Sequence, residues 1–241
     1  MCRLLGYVAA CDKVPADALA DVLPAYTALS VHHCDGWGVA WRTPNGVRAV
    51  RQPVAAKDSA QYARVVERTR TDAAALHLRM ATKGSTVGAE NTHPFVRDGL
   101  AFTHNGFVGP IRQLEPFVDP GLRPQGSTDS EWYFLAVLTA MRHGLSVAEA
   151  LGETARRLLA LDASFSANAT LLTPDALYSV CAWAPERLPE DRDASYFALR
   201  YRVGPDAVVV GSNELPQDGW STLPTGAVLR VERGSLRCSI S

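Results

Sequence analysis

The sequence predicts an α+β fold in which two stacked β-sheets are covered by helices. Three observations lead there: strand-like apolar segments lie at both ends of the chain, helix-like segments lie between them, and 241 residues are enough for one large core. One domain over 1–241 is the corresponding expectation. In the first half, strands are expected near 4–9, 39–42, 47–52 and 76–80, with a further apolar strand ending at Asn105-Gly106. Helices are expected over 16–29 (interrupted by Pro24), 59–68, 129–142 and 147–161. The last 75 residues alternate like strands, near 169–172, 177–183, 196–201, 208–210 and 228–231. The Pro/Gly-rich stretch 116–126 is the best linker candidate, and no repeat divides the chain.

Charge narrows the partners. The chain carries 24 basic and 25 acidic residues, a net charge of −1, and no basic run stands out, so neither nucleic acid nor a membrane surface is an expected partner. The apolar stretch 133–141 falls well short of the roughly 20 residues a membrane span needs. The N-terminus lacks a signal-peptide pattern, and five irregularly spaced cysteines do not suggest a disulfide framework. A cytoplasmic setting is the expectation, and it suits a reactive thiol.

That thiol is at position 2. Cysteine is small enough that an initiator methionine before it is normally removed, which would leave a thiol and a free α-amine on one residue. Such an amine has a pKa of roughly 7.7–8 against about 8.5 for the thiol. An N-terminal amine of this kind can serve as the base for the adjacent nucleophile. The competing reading is the start of an ordinary strand, since many chains carry a small residue after Met1.

Four downstream segments join the Cys2 opening and Asp35-Gly36-Trp37-Gly38: Leu76-His77-Leu78-Arg79-Met80-Ala81-Thr82-Lys83-Gly84, Asn91-Thr92-His93-Pro94-Phe95, Phe102-Thr103-His104-Asn105-Gly106 and Ser127-Thr128-Asp129-Ser130-Glu131. In this order they resemble the class II glutamine amidotransferase domain, a family of N-terminal-nucleophile hydrolases with a four-layer αββα fold. The resemblance implies hydrolysis of a γ-glutamyl amide through a thioester on Cys2, with no metal and no cofactor.

Each remaining residue type fits part of that chemistry. The tetrahedral intermediate needs preplaced donors, each worth about 100- to 1,000-fold in rate. The Asn105 amide and the Gly106 N–H can supply them, although Asn-Gly is also the commonest tight-turn dipeptide. Arg79 suits an α-carboxylate because its guanidinium can donate two parallel hydrogen bonds; a strand-end arginine paired to a structural acid is the alternative. Asp129 suits an α-ammonium, although Thr128-x-x-Glu131 reads as a capping box and an acid in a first helical turn is favoured by the helix dipole alone. By the resemblance, Asn105 and Gly106 form the oxyanion hole and Arg79 and Asp129 read the substrate head. Met80 backbone and the Thr82 hydroxyl would complete the pocket. Met80 and Lys83 depart from the tryptophan and histidine common in the family, which bears on the leaving-group side.

Two rival constellations lack support. His32-His33-Cys34-Asp35 looks like a metal cluster, but adjacent residues point in different directions and the second ligand pair of a zinc site is missing. Cys34 or Cys181 acting with a distant histidine has no local motif in support. The expectation is therefore a stand-alone amidohydrolase, similar to the branch that includes the γ-glutamyl amidohydrolase of ergothioneine biosynthesis. One alternative is a glutaminase partner that passes ammonia or a small amine to a separate synthase or acceptor enzyme. The other is a silent binding module of the same fold.

Overall fold

Residues 1–82, 84–188, 190 and 194–241 are described by a computed structural model. The first sheet contains β1 (Arg3–Lys13), β2 (Gly36–Thr43), β3 (Gly46–Gln52), β4 (Thr71–Arg79), β9 (Leu199–Val203), β10 (Ala207–Ser212) and β11 (Ser221–Thr222), in the order β11-β9-β10-β1-β4-β2-β3. The second contains β5 (Phe95–Arg97), β6 (Leu100–Phe107), β7 (Ser166–Leu172), β8 (Ala176–Val180), β12 (Val228–Glu232) and β13 (Cys238–Ile240), in the order β13-β12-β8-β7-β6-β5. Every pairing within these sheets is antiparallel.

Alternation along β1 shows how the layers form. Leu4 and Val8 join the cluster between the sheets, with Ala73 and Ala75 of β4, Ala101 of β6 and Leu177 of β8. Leu5, Tyr7 and Ala9 face the other way, onto α1 (Pro15–Ala18), α2 (Leu23–Ala28) and α3 (Ala60–Arg68). Beyond the second sheet, Phe102, Ala169 and Leu171 pack on α5 (Asp129–Arg142) and α6 (Val147–Leu159), and the short α4 (Ile111–Leu114) adds Leu114 to the same cluster. The result is the four-layer αββα sandwich. Central strands buried on both faces read as continuous apolar runs because neither face meets water. Each large side chain so buried contributes about 1.5–3 kcal/mol relative to exposure.

Several expectations are corrected. The single helix over 16–29 is two short helices and a 3₁₀ turn (Leu29–Val31), and Pro24 lies in the first turn of α2, where its missing N–H costs nothing. β4 begins at Thr71, so the alanines 73–75 belong to the strand, and the small side chains of Ala73 and Ala75 let the two sheets approach. Residues 194–197 form a 3₁₀ turn, and the strand expected at 196–201 starts at Leu199. Among the described residues, no helix is long and apolar enough to cross a membrane.

Candidate active site

Strand parity places the candidate groups. Cys2 stands just before β1 in phase with Leu4, and so faces the space between the sheets. Arg79 ends β4 in phase with Ala73 and Ala75, and Asn105 lies on β6 in phase with Ala101. Three separate segments thus direct a thiol, a guanidinium and an amide into one end of the inter-sheet layer. A cleft of about 190 Å³ opens there, lined by Cys2, Arg79, Met80, Thr82, Gly106 and Asp129 among others. Asn105 is buried beside Gly106, 1% exposed, and is not itself among the lining residues. Lys83 lies outside the described residues.

The thiol of Cys2 reaches the Met80 carbonyl at 3.7 Å. Burial pushes its pKa up, opposed by the Met80 contact, the N-terminal ammonium, Arg79 and Arg3. The resting group is therefore a thiol that must lose its proton as it attacks. Arg79 is 3% exposed; one terminal nitrogen donates to Thr86 O at 3.1 Å, and Nη1 has no partner among the described residues. An unmatched buried cationic donor is costly, and this one can still donate to an anion.

Asn105 is in the same condition: both ends of its buried amide lack a partner. The tight turn that Asn105-Gly106 could equally signal is not formed. Both residues lie within β6 and pair with Asn168 and Ala167 of β7. Glycine is required at 106 for space, since a Cβ there would lie 1.9 Å from Ser166 O.

Asp129 opens α5. One carboxylate oxygen accepts from Val108 N at 3.0 Å and the other from Ser130 N at 2.9 Å, tying the helix to the end of β6. The capping box is half formed. Thr128 accepts from Glu131 N at 3.2 Å, but the Glu131 carboxylate accepts from Gln125 N and Gly126 N, each at 2.8 Å, and so holds the preceding loop instead.

Sequence reasoning left several residues without a role. Asp35 accepts from Ala81 N at 2.8 Å and its own N–H donates to Arg79 O at 3.1 Å, which braces the Arg79–Ala81 segment. Gly38 makes room for the next loop, because a Cβ there would meet His93 O at 2.0 Å. Three buried histidines underlie the cleft. His77 bonds His104 O at 3.1 Å and stacks on His93 with ring centres 4.1 Å apart. His104 Nδ1 lies 2.9 Å from Ser130 Oγ. Burial lowers the pKa of all three, to about 3 for His77, so each ring is neutral at neutral pH. All three stand in motifs visible in the sequence, but only the fold shows them converging. In the His32-His33-Cys34-Asp35 run, His33 is buried while His32 and Cys34 are exposed. No group of three or more potential metal ligands occurs among the described residues.

Comparison with known proteins decides the family. The model for class-II glutamine amidotransferases matches residues 1–181. The chain belongs to that family. YafJ of Escherichia coli, named as a candidate glutamine amidotransferase, is 32% identical over 150 residues, which is 57% of this chain and 54% of YafJ. A similarly named protein of Haemophilus influenzae is 35% identical over 142 residues, 56% of this chain and 46% of that protein. The chain thus matches about half the length of these curated relatives. Among solved structures, a glutamine aminotransferase class-II domain protein from Silicibacter pomeroyi superposes with a TM-score of 0.71 at 20% identity, covering 99% of this chain and 98% of that one. The glutamine phosphoribosylpyrophosphate amidotransferase of Bacillus subtilis gives 0.67 at 18% identity, covering 99% of this chain and 48% of that one. At these identities the structures establish the amidotransferase fold. Members of this class-II family are enzymes of the N-terminal-nucleophile type, and this chain carries the same fold and motif set.

Proposed function

We propose that this class-II amidotransferase hydrolyses a γ-glutamyl amide through a thioester on Cys2. The carrying observation is the cleft itself. It gathers Cys2, the Gly106 backbone and Asp129 beside a buried arginine and a buried amide, each with unmatched donors. In the processed chain the α-amine of Cys2 takes the thiol proton as Sγ attacks the γ-carbonyl carbon. Asn105 Nδ2 and Gly106 N–H donate to the developing oxyanion. The C–N bond then breaks, and the leaving nitrogen takes the proton from the α-ammonium. Water attacks the thioester, its proton passes to the amine, and glutamate leaves with Cys2 restored.

Arg79 Nη1 would donate to the α-carboxylate of the substrate, and Asp129 would face its α-ammonium with oxygen lone pairs that the two backbone N–H groups leave unused. Met80 and Thr82 border the same cleft and complete the pocket. Release of the amine to water is the primary reading, and its transfer to a separate acceptor enzyme is the alternative outcome of the test. Intact-mass measurement of protein treated with 6-diazo-5-oxo-norleucine, together with a glutamate-release screen over γ-glutamyl amides, tests the reading. Mature protein should lack Met1 and carry one adduct that is abolished in Cys2→Ala. An adduct that persists in Cys2→Ala, or maps to Cys34 or Cys181, overturns the assignment.

A further inference from the structure

Asn91 takes no part in the chemistry above, yet its side chain is 1% exposed and fully engaged beneath two exposed loop residues. It closes the short 3₁₀ turn Ala89–Asn91. Nδ2 donates to Thr86 O and to Ser127 Oγ, each at 3.2 Å, and Oδ1 accepts from Ser127 N at 2.7 Å. Thr86 O is the same carbonyl that accepts from Arg79 at 3.1 Å. Ser127 stands two residues before Asp129 and, like Arg79 and Asp129, lines the cleft. One amide therefore joins the loop that anchors Arg79 to the loop that leads into Asp129. Gly126 permits the approach, because a Cβ there would lie 2.3 Å from Asn91 Oδ1 and 2.7 Å from Glu90 O.

We propose that Asn91 is a positioning residue that fixes the separation between Arg79 and Asp129, and with it the spacing of carboxylate and ammonium that the cleft accepts. The inference rests on the reading of those two residues as the groups for the substrate head. The side-chain type suits the task. Thr86 O can only accept and Ser127 N can only donate, so the joint needs a donor and an acceptor on one short planar group. Aspartate would set a lone pair against Thr86 O, and leucine would hold neither loop. The contrast with Asn105 is direct: the Asn91 amide is bonded at both ends by the protein, and the Asn105 amide at neither. A ligand with both charges must meet Arg79 and Asp129 at once, so moving either group weakens it. A ligand with one of the charges can shift to follow its single partner. Misplacement of about 1 Å in such a constellation can cost on the order of 100-fold.

Protein released from a cleavable N-terminal tag, so that every variant begins at Cys2, tests this by kcat and KM for the γ-glutamyl amide it turns over best. Competitive inhibition by glutamate, by glutarate, which lacks the α-ammonium, and by 4-aminobutyrate, which lacks the α-carboxylate, completes the test. Asn91→Leu keeps most of the side-chain volume and removes all three bonds. KM and the glutamate Ki should rise about tenfold or more, while kcat and the Ki of each singly charged head should change less than about threefold. A purely structural role would lower the amount of active enzyme, and so the apparent kcat, and leave KM and all three Ki values unchanged; that result overturns the inference. An equal rise in all three Ki values also overturns it, since the two groups would then be damaged singly and not misplaced relative to each other. If Asn91→Leu does not fold, Asn91→Ala decides alone by the same readings. Wild-type protein beginning at Cys2 that releases glutamate from no γ-glutamyl amide overturns the hydrolase reading, and this inference with it; an active wild type with an indifferent Asn91 overturns this inference only.

Discussion

Asn105→Ala should reduce activity without reducing stability. The residue is 1% exposed, and truncating a well-bonded buried side chain ordinarily costs stability. Here both ends of the amide are already unmatched, and an unmatched buried polar group costs about 1–3 kcal/mol in the folded state. Removing the amide relieves that cost. The opposing cavity term, at about 24 cal/mol per Å³, is roughly 1 kcal/mol for the few atoms removed. The two nearly cancel, or the variant gains. Urea or thermal unfolding should therefore give a stability within about 1 kcal/mol of wild type or above it, a midpoint change of no more than about 4 °C on the downward side. Turnover should fall about 100- to 1,000-fold with KM within a few-fold, since the donor is used in the transition state. A substrate-head ligand such as glutamate should stabilise both proteins equally, because it needs Arg79 and Asp129 and not the oxyanion donor. A variant that loses more than about 2 kcal/mol of stability while keeping its kcat would show that the amide is structural, and would refute the oxyanion reading.

Gly106→Ala should lose both properties, because its Cβ would lie 1.9 Å from Ser166 O and force β6 and β7 apart; melting and kcat measured together check this. Arg79→Lys and Asp129→Asn should weaken kcat/KM equally for glutamine and for a bulky γ-glutamyl amide, the latter variant by roughly 2–5 kcal/mol if the ammonium pair is desolvated. Substitution at Met80, which borders the cleft, or at Lys83 should instead alter the ratio between those substrates, read from paired kcat/KM values. Stability should fall as pH drops below about 6.5, where the unfolded chain binds protons that the depressed folded-state values of His33, His77, His93 and His104 refuse. Between pH 6.5 and 5.5 His33 and His77, both held down to about 3, each contribute a loss on the order of 1 kcal/mol, visible as falling urea midpoints.

The elements that were legible carry their own signals. α5 runs Asp129–Arg142 as the sequence predicts, because Thr128 supplies the cap and the apolar run behind it packs on the second sheet. The start of β4 was not legible: alanine has little strand preference, and 73–75 become a strand by pairing with β1 and β2 on either side. The short edge strands β5, β11 and β13 carry too few residues for a pattern to register.

The site was legible as a set of motifs but not as a geometry. Asn105-Gly106 carries a turn signal in sequence, and the turn is overridden because β6 continues past it along β7. Nothing in the local sequence shows that continuation, since β7 lies some sixty residues away along the chain. The Asp35-Gly36-Trp37-Gly38 segment is likewise opaque until the fold places it. Its acid holds Ala81 N, and Gly38 admits the His93 backbone to a distance that no other residue allows. The segment therefore acts on the cleft through the loops it supports and without touching its contents. Gly38→Ala should accordingly lower turnover of every γ-glutamyl amide by the same factor, because it displaces the His93 loop and leaves the recognition groups chemically intact. A change in preference between glutamine and a bulky amide would mean that this segment contacts the leaving group, contrary to the bracing role read from its hydrogen bonds.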